Sequence, residues 1–419
     1  MSRDVATEIH SSGPIDTNVA IVGAGPAGLC AALALARSEV EVILIAAPHK
    51  PAGDRPDTRT AALFNPAITL LQNLGVWDYC RQYSAELKAI RLLDDTGDLL
   101  RAPEVVFKAT EIGQPVFGFN VPQEPLVHAL HRIASQRPSL RIIESQGVQQ
   151  VTPGGSDATL HLAEGQTLRA QLVVAADGRR SITREAAGIT THTKKCGQTA
   201  VTCTFAHTRD HAGISSELHR RAGPMTVVPM PGRYASLVWV ERPQVAQRLF
   251  EMTEAGFARV LEENLHGLLG SVSEIGPRAT FPLSHMTSSS MARNRVALVG
   301  EAGHAMPPIG AQGLNLSLRD VAHLADLVLD ASNNDRDIGA QSVLEQFNTL
   351  RMPDARNRAF AVNTLNQALL SEFVPVQLGR AVGMHFIKAI RPLRQQLMKI
   401  GMAPTTPFPT LMRPADTSI

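Results

Sequence analysis

Cysteine is scarce in this chain of 419 residues, and the four present, Cys30, Cys80, Cys196 and Cys203, show no C-x-x-C spacing. That excludes a disulfide framework and the common zinc sites, and it fits reduced thiols in a cytosolic protein. An excess of one charge is lacking too. The 40 basic and 38 acidic residues leave +2, too little to argue for a nucleic-acid partner. No apolar run of about 18 residues and no signal-peptide pattern occurs, so nothing in the sequence reads as spanning a membrane or directing export. Internal repeats, low-complexity tracts, a nucleophilic triad and a metal-ligand cluster are absent as well. What remains is 44% hydrophobic and 19% charged, an ordinary globular composition long enough for about two or three packed units.

The most informative stretch is Val19-Ala20-Ile21-Val22-Gly23-Ala24-Gly25-Pro26-Ala27-Gly28. It reads as a buried strand, a tight glycine turn and a small-residue helix running to Arg37. A dinucleotide pyrophosphate needs that order: Gly23 permits the turn, Gly25 admits the phosphates to backbone N–H groups, and Gly28 lets helix pack on strand. Ala27 shares that first helical turn, whose unpaired N–H groups and positive dipole end face the negative charge. One expected part is missing. The acid that would bond the adenosine ribose, about 20 residues on, is replaced by Ala46 at the end of Val42–Ile45.

Two further glycine motifs follow strand-like runs at 170–176 and 295–299. The second, Asp177-Gly178-Arg179-Arg180-Ser181-Ile182-Thr183-Arg184, offers anion- and hydroxyl-binding groups, although an Asp-Gly at a strand end is also an ordinary turn. Arg184 alternatively pairs with a surface acid. The third, Gly300-Glu301-Ala302-Gly303-His304 through Pro307-Pro308 to Gly310-Ala311-Gln312-Gly313, opens a helix with Leu314, Leu318, Val321, Ala325 and Val328 on one face. Its glycines and prolines fix a loop that approaches a flat ligand with backbone, and the helix dipole favours an anion there. Between these motifs, residues 198–205, 225–229 and 234–240 read as short antiparallel strands. After about residue 313 the pattern is helical to near 400.

The three motifs in this order, with a β-rich insert, resemble the class A FAD-dependent aromatic hydroxylases. Within that class, Asp57-Thr58-Arg59-Thr60-Ala61-Ala62-Leu63, Leu74-Gly75-Val76-Trp77, Cys196-Gly197-Gln198-Thr199-Ala200 and Ala222-Gly223-Pro224 with Pro229 resemble the ubiquinone-biosynthesis (UbiH/UbiF/VisC-type) monooxygenases. So does Gly310-Ala311-Gln312-Gly313-Leu314-Asn315-Leu316-Ser317-Leu318-Arg319-Asp320. The resemblance covers roughly residues 18–400.

It implies an α/β fold, with a Rossmann-like FAD-binding domain of p-hydroxybenzoate hydroxylase type, an inserted antiparallel β substrate domain and C-terminal helices. The FAD-binding parts are expected at 18–80, 115–190 and 286–350, and the substrate sheet at 81–114 and 191–285. Residues 351–419 form the helical end and 1–17 a loose tail. Gly23, Gly25, Ala27 and Gly28 then bind the FAD pyrophosphate, and Arg59 reaches the cofactor. Asp177 and Gly178 lie near the pyrophosphate and the NAD(P)H route. Glu301 stands where the class most often has Asp, and Gly310, Gln312, Gly313, Leu314 and Asn315 complete the flavin loop. Pro307 and Pro308 form a wall beside the reactive flavin edge.

The implied activity is hydroxylation of the phenolic ring of a polyprenylated ubiquinone precursor, through a flavin C4a-hydroperoxide, with NADPH or NADH and O2 as co-substrates. A class A hydroxylase of a soluble aromatic shares every FAD motif, and a flavin-weak scaffold in a biosynthetic assembly fits Ala46 and Glu301. His304 reads as bonding backbone rather than as a general base. His207, His211 and His219 are expected on a surface loop, and His285 and Met286 beside the substrate cavity. The apolar, basic segment 373–402, interrupted by Pro392, is either a packed C-terminal helix or an interfacial one that brings a cytoplasmic enzyme to the inner membrane face.

Overall fold

The computed structural model describes residues 13–37, 40–48, 57–97, 102–308, 310–370, 374–402 and 408–414. Three sheets organise them. The first has a parallel centre in which β1 (Ile15–Val22) lies between β2 (Val42–Ala46) and Thr167–Ala175. Leu140–Glu144 pairs beyond β2, and Val296–Leu298 beyond Thr167–Ala175. Residues 19–22, 42–46 and 172–175 are buried on both faces, which is why they read as unbroken apolar runs. β1 begins at Ile15, so the tail expected through residue 17 is already strand there, with Ile15 opposite Leu168.

Helix α1 (Pro26–Leu35) packs on this sheet and meets α8 (Gln312–Asn333). Small residues let α1 approach closely: Gly28, Cys30, Ala31, Ala32 and Ala34 are all buried. Leu29, Leu33 and Leu35 fill the core around them, each contributing about 1.5–3 kcal/mol by leaving water. α4 (Gln123–Ala134) packs against α1 on this sheet, and α5 (Ile182–Ala186) follows the second glycine motif.

A nine-stranded sheet centres on the long strand Thr191–His207, which pairs with Tyr234–Glu241 and Ala279–Ser288. Met225–Met230, Ile214–His219, Ala89–Asp94 and Val105–Lys108 continue it. Helices α6 (Pro243–Glu251) and α7 (Glu254–Asn264) carry Ala246, Leu249, Phe257 and Leu261 into a second core with Phe205 and Trp239. The sheet extends beyond the expected boundary at 285, because Met286 and Thr287 pair with Ala305 and His304 of the third glycine motif. Two family-like runs meet here. Gln198 Nε2 donates to Ala222 O (2.7 Å), and a Cβ on Gly223 would lie 2.5 Å from Val240 Cγ1.

A three-stranded sheet of β3 (Thr60–Phe64), Ala85–Leu87 and Gly118–Pro122 joins the two. It leads into α2 (Asn65–Asn73) and α3 (Trp77–Arg81), and the turn between them uses Gly75 at φ +75°. Thr60 and Ser236 hydroxyls lie 2.9 Å apart, and Asn120 Nδ2 donates to Pro229 O, so this small sheet is fastened to the large one. The chain ends in α8, α9 (Gln341–Leu370), α10 (Val374–Ala389) and α11 (Arg391–Met402), with Pro392 at the start of α11.

The expected surface-loop histidines are elsewhere. His207 and His219 are buried at strand ends, His219 with its Nε2 2.9 Å from Glu217, and only His211 lies in a loop, 3.0 Å from Met230 O. Both close buried strand runs of the large sheet, residues 205–207 and 215–219.

Candidate active site

The first glycine turn is shaped by contact. Gly23 has φ +106°, and a Cβ there would meet Ala176 O at 2.5 Å. A Cβ on Gly28 would sit 1.9 Å from Gly23 O, so no side chain fits between helix and turn. Gly25 is different: it precedes α1, and a Cβ there meets nothing within 4 Å. The α1 N-terminus has no side-chain cap, so its first N–H groups face that open space. Ala46 is buried at the end of β2 and brings no polar group to the cradle.

The second motif borders the same space. Asp177 Oδ2 accepts from Thr183 N and Oγ1, while Oδ1 is buried with no hydrogen-bond partner. Gly178 takes φ +79°. Ser181 caps α5 through Arg184 N, and the buried Arg184 side chain donates to Ala302 O (2.9 Å) and Arg179 O (3.1 Å). Its ion-pair distance to Glu185 is 3.9 Å, so Arg184 chiefly binds the second motif to the third.

Arg59 makes a two-pronged pair with Asp57, at 2.8 and 2.7 Å, and its guanidinium lies over the Phe281 ring. Those bonds raise the Arg59 pKa against its desolvation, with a further pull from Glu301. Burial disfavours the Asp57 charge, yet the Arg59 bonds hold its carboxyl below the ordinary value. Glu301 Oε1 accepts from Arg179 Nη2 at 2.9 Å, a pair exposed to solvent on both sides. Arg179 is a functional candidate that the motif reading did not single out.

The third loop hangs from charged side chains. Gly300 (φ +63°) donates its N–H to Asp320 Oδ2, and His304 Nε2 donates to the same oxygen at 2.6 Å. His304 therefore bonds a carboxylate, not the expected backbone, because α8 brings Asp320 directly beneath it. Asp320 is fully buried, and its Oδ1 accepts from Arg351 Nε of α9 at 2.8 Å. Arg351 and Arg319 both donate to Asp354 Oδ2, and Arg358 Nε donates to Oδ1. Burial works against every charge here, but the neighbouring cations hold Asp320 and Asp354 below ordinary carboxylate values. His323, buried beside Arg351, is pushed down to about 4 by desolvation.

Arg358 closes the network on the loop itself, donating to Gln312 Oε1 and to Gly401 O of α11. Gln312 Nε2 in turn donates to Gly310 O at 3.0 Å. Asn315 Oδ1 accepts from Phe64 N, and its Nδ2 donates to Ala62 O and Ala311 O, bolting β3 to the loop. The side chains of Gln312 and Asn315 are thus spent on holding the loop. The surface left for a ligand is backbone, at Gly310 (φ +64°), Ala311 (φ +55°) and Gly313, ahead of an α8 N-terminus without a side-chain cap. Leu314 is half-buried against the main core, Pro307 is buried and Pro308 exposed. Ala311 and Ala62 also border an apolar cluster of Phe64, Leu87, Phe117, Val228 and Met398. His285 Nε2 donates to Ala359 O, and Met286 is buried in its strand.

A cradle crowded at Gly23 and Gly28, open at Gly25, and holding an orphaned Asp177 oxygen fits a dinucleotide cofactor. Joined to a second backbone-lined loop and a large, mainly antiparallel sheet, it defines the class of FAD-dependent monooxygenases. A family model described as an FAD binding domain matches residues 16–357, and the chain belongs to that family. It is 33% identical over 387 residues to the ubiquinone hydroxylase UbiL of Rhodospirillum rubrum, covering 92% of this chain and 89% of that one. It is 28% identical to the 3-demethoxyubiquinol 3-hydroxylase of Escherichia coli, over 92% of this chain and 98% of the relative. Among solved structures, p-nitrophenol 4-monooxygenase PnpA of Pseudomonas putida shares the fold. Its TM-score is 0.76 at 19% identity, over 94% of this chain and 100% of that one.

Proposed function

We propose that this flavoprotein hydroxylates the phenolic ring of a polyprenylated ubiquinone precursor, taking electrons from NADPH or NADH and oxygen from O2. The observation that carries the reading is the position of the apolar cluster Phe64, Leu87, Phe117, Val228 and Met398 directly beside Ala62 of β3 and Ala311 of the flavin loop. An electron-rich ring with a hydrocarbon tail suits such a wall. Similarity to ubiquinone hydroxylases supports this substrate over a soluble aromatic or a scaffold role.

FAD, when bound, supplies the reduction of O2 and the transfer of one oxygen atom to the ring. The chain does the rest. Gly23, Gly25, Ala27 and Gly28 offer backbone and the α1 dipole to the pyrophosphate, and Asp177 Oδ1 is an acceptor waiting for a hydroxyl or N–H donor. Arg59 and the second motif at Gly178 supply positive charge and a turn at the edge where a nicotinamide cofactor approaches. Glu301 must leave Arg179 or share it to meet the ribityl chain. N–H groups at the α8 N-terminus, together with its dipole, favour negative charge on the flavin ring. Pro307 and Pro308 stiffen the wall that keeps bulk water from the reacting centre. His304 is a positioning residue acting through Asp320.

Among the described residues no helix is long and apolar enough to cross a membrane. The α10–α11 segment exposes Val382, Phe386, Ile390, Leu393, Leu397 and Ile400, with Lys388, Arg391 and Lys399 interleaved. This pattern supports peripheral docking of a cytoplasmic enzyme on the inner membrane face, where a prenylated substrate and other biosynthetic enzymes are met.

The test is anaerobic reduction of the purified yellow protein by NADPH, then admission of O2 with a prenylated phenol. A product heavier by one oxygen atom, at the expense of hydrogen peroxide, is expected. Peroxide release indifferent to the phenol, with no hydroxylated product, overturns the substrate assignment.

A further inference from the structure

A cavity of about 630 Å³, with no lining residue from either glycine loop, lies between α2, α3, Lys399 of α11 and the C-terminal segment 408–414. Its size falls in the range of about 300–1,000 Å³ usual for ligand pockets. Ile68, Trp77, Phe117, Phe119, Phe408 and Met412 make the walls. Trp77 and Phe119 meet edge to face at 4.8 Å, a rigid aromatic corner. Among the described residues three cations, Arg81, Lys399 and Arg413, line the cavity, and no carboxylate does. The tail that closes one side is fastened: Asn73 Nδ2 donates to Leu411 O and Arg413 O, and Arg413 Nε donates to Phe408 O.

An apolar interior with several cations and no acid at its border matches an amphiphile, one hydrocarbon chain with an anionic head. Lys399 contributes to the cavity from α11, whose Leu393, Leu397 and Ile400 are exposed. Lys399 thus sets the cavity border next in sequence to the apolar face assigned above to the membrane. We infer that this cavity takes one acyl chain of an anionic membrane phospholipid, with its phosphate held by Arg81, Lys399 and Arg413. The inference rests on the membrane reading of α10–α11 only for the source of the lipid.

Trp77 provides the readout, because the other tryptophan, Trp239, is sealed in the sheet core. The FAD-loaded protein is mixed with vesicles of phosphatidylglycerol bearing brominated acyl chains, which quench only at contact. Quenching is expected, with its loss in Trp77→Phe and at least a tenfold weaker midpoint in the double variant Arg81→Gln/Arg413→Gln. Brominated phosphatidylcholine should quench far less. Thr69→Phe, which fills the cavity from its half-exposed wall, should also remove quenching while flavin content is unchanged.

Sedimentation with the same vesicles separates the two readings. Co-sedimentation without Trp77 quenching overturns the cavity assignment and leaves membrane docking standing. Quenching by a short-chain brominated phosphatidylglycerol below its micelle concentration, in protein that does not sediment with vesicles, supports the cavity and removes the docking. Equal quenching by the neutral and anionic lipids overturns the headgroup assignment.

Discussion

The two glycine loops of this protein are held in shape by opposite means. The first, at 23–28, is held by backbone against backbone, with Gly28 packed on Gly23 O and Gly23 on Ala176 O. The second, at 300–315, is hung on a buried ion network through Asp320, Arg351, Asp354 and Arg358. One is rigid because nothing larger than hydrogen fits. The other keeps its shape only while charges some 40 residues further along the chain remain paired. Steric and electrostatic support fail differently, and that difference can be measured.

The largest effect is expected at Gly28→Val. Its side chain has no room beside Gly23 O, so FAD content, read as the ratio of absorbance near 450 nm to that at 280 nm, should fall at least tenfold. Gly313→Ala, whose Cβ meets nothing within 4 Å, should fold normally. If both variants retained flavin equally, the steric half of the comparison would be wrong.

Next comes Arg351→Met, which leaves Asp320 and Asp354 buried with part of their charge unanswered. Breaking a buried pair in this way costs about 3–5 kcal/mol. Denaturant unfolding should register that loss, and flavin content should drop although Arg351 is remote from the first loop. A neutral result would show that the loop does not depend on the network.

Acid provides a third test. The folded-state pKa of His323, about 4, lies below its ordinary value near 6.5, so the unfolded chain takes up a proton first. Stability is therefore steady above pH 7 and declines as pH falls from about 6.5 towards 4, by up to one proton's slope. Depressed Asp320 and Asp354 extend the decline below pH 4. Melting temperature against pH should flatten between 6.5 and 4 in His323→Leu; an unchanged curve rejects the assignment.

Arg179→Ala should do least to the fold. Its pair with Glu301 is exposed and contributes less than about 1 kcal/mol. A shift in KM for NADPH with little change in melting temperature would mark Arg179 as a contact of the incoming nicotinamide cofactor.

The same contrast explains what the sequence disclosed. Val19–Gly28 was readable because every constraint in it is local: strand, turn and helix are adjacent, and glycine stands where backbone must touch. The sheet insert was readable from its short β-like runs punctuated by glycine and proline, and Pro392 foretold the break between α10 and α11. The charge network was not read, because Asp320 waits on Arg351 and His304 for its meaning, and those contacts exist only after α8 and α9 pack. A signal was there. Arg351, Asp354 and Arg358 recur at helical spacing, and such a face is usually solvated; here Arg351 and Asp354 are buried and Arg358 partly so. His304 was misassigned for the same reason, and Gln312 and Asn315 read as ligands of the cofactor although their side chains hold the loop.

Arg358 grips Gln312 and the carbonyl of Gly401 together, and this sets an order of events during synthesis. The first cradle can form once residue 176 has left the ribosome. The second loop can bond Asp320 and Asn315 earlier, but the charge of Asp320 is answered by Arg351 only when residues 351–358 follow, and the loop's last tie waits for Gly401. On the cofactor role proposed above for both loops, capture is completed late, on a nearly finished chain. A chain broken off before residue 351 carries all three glycine motifs but lacks the Arg351 cation that answers Asp320.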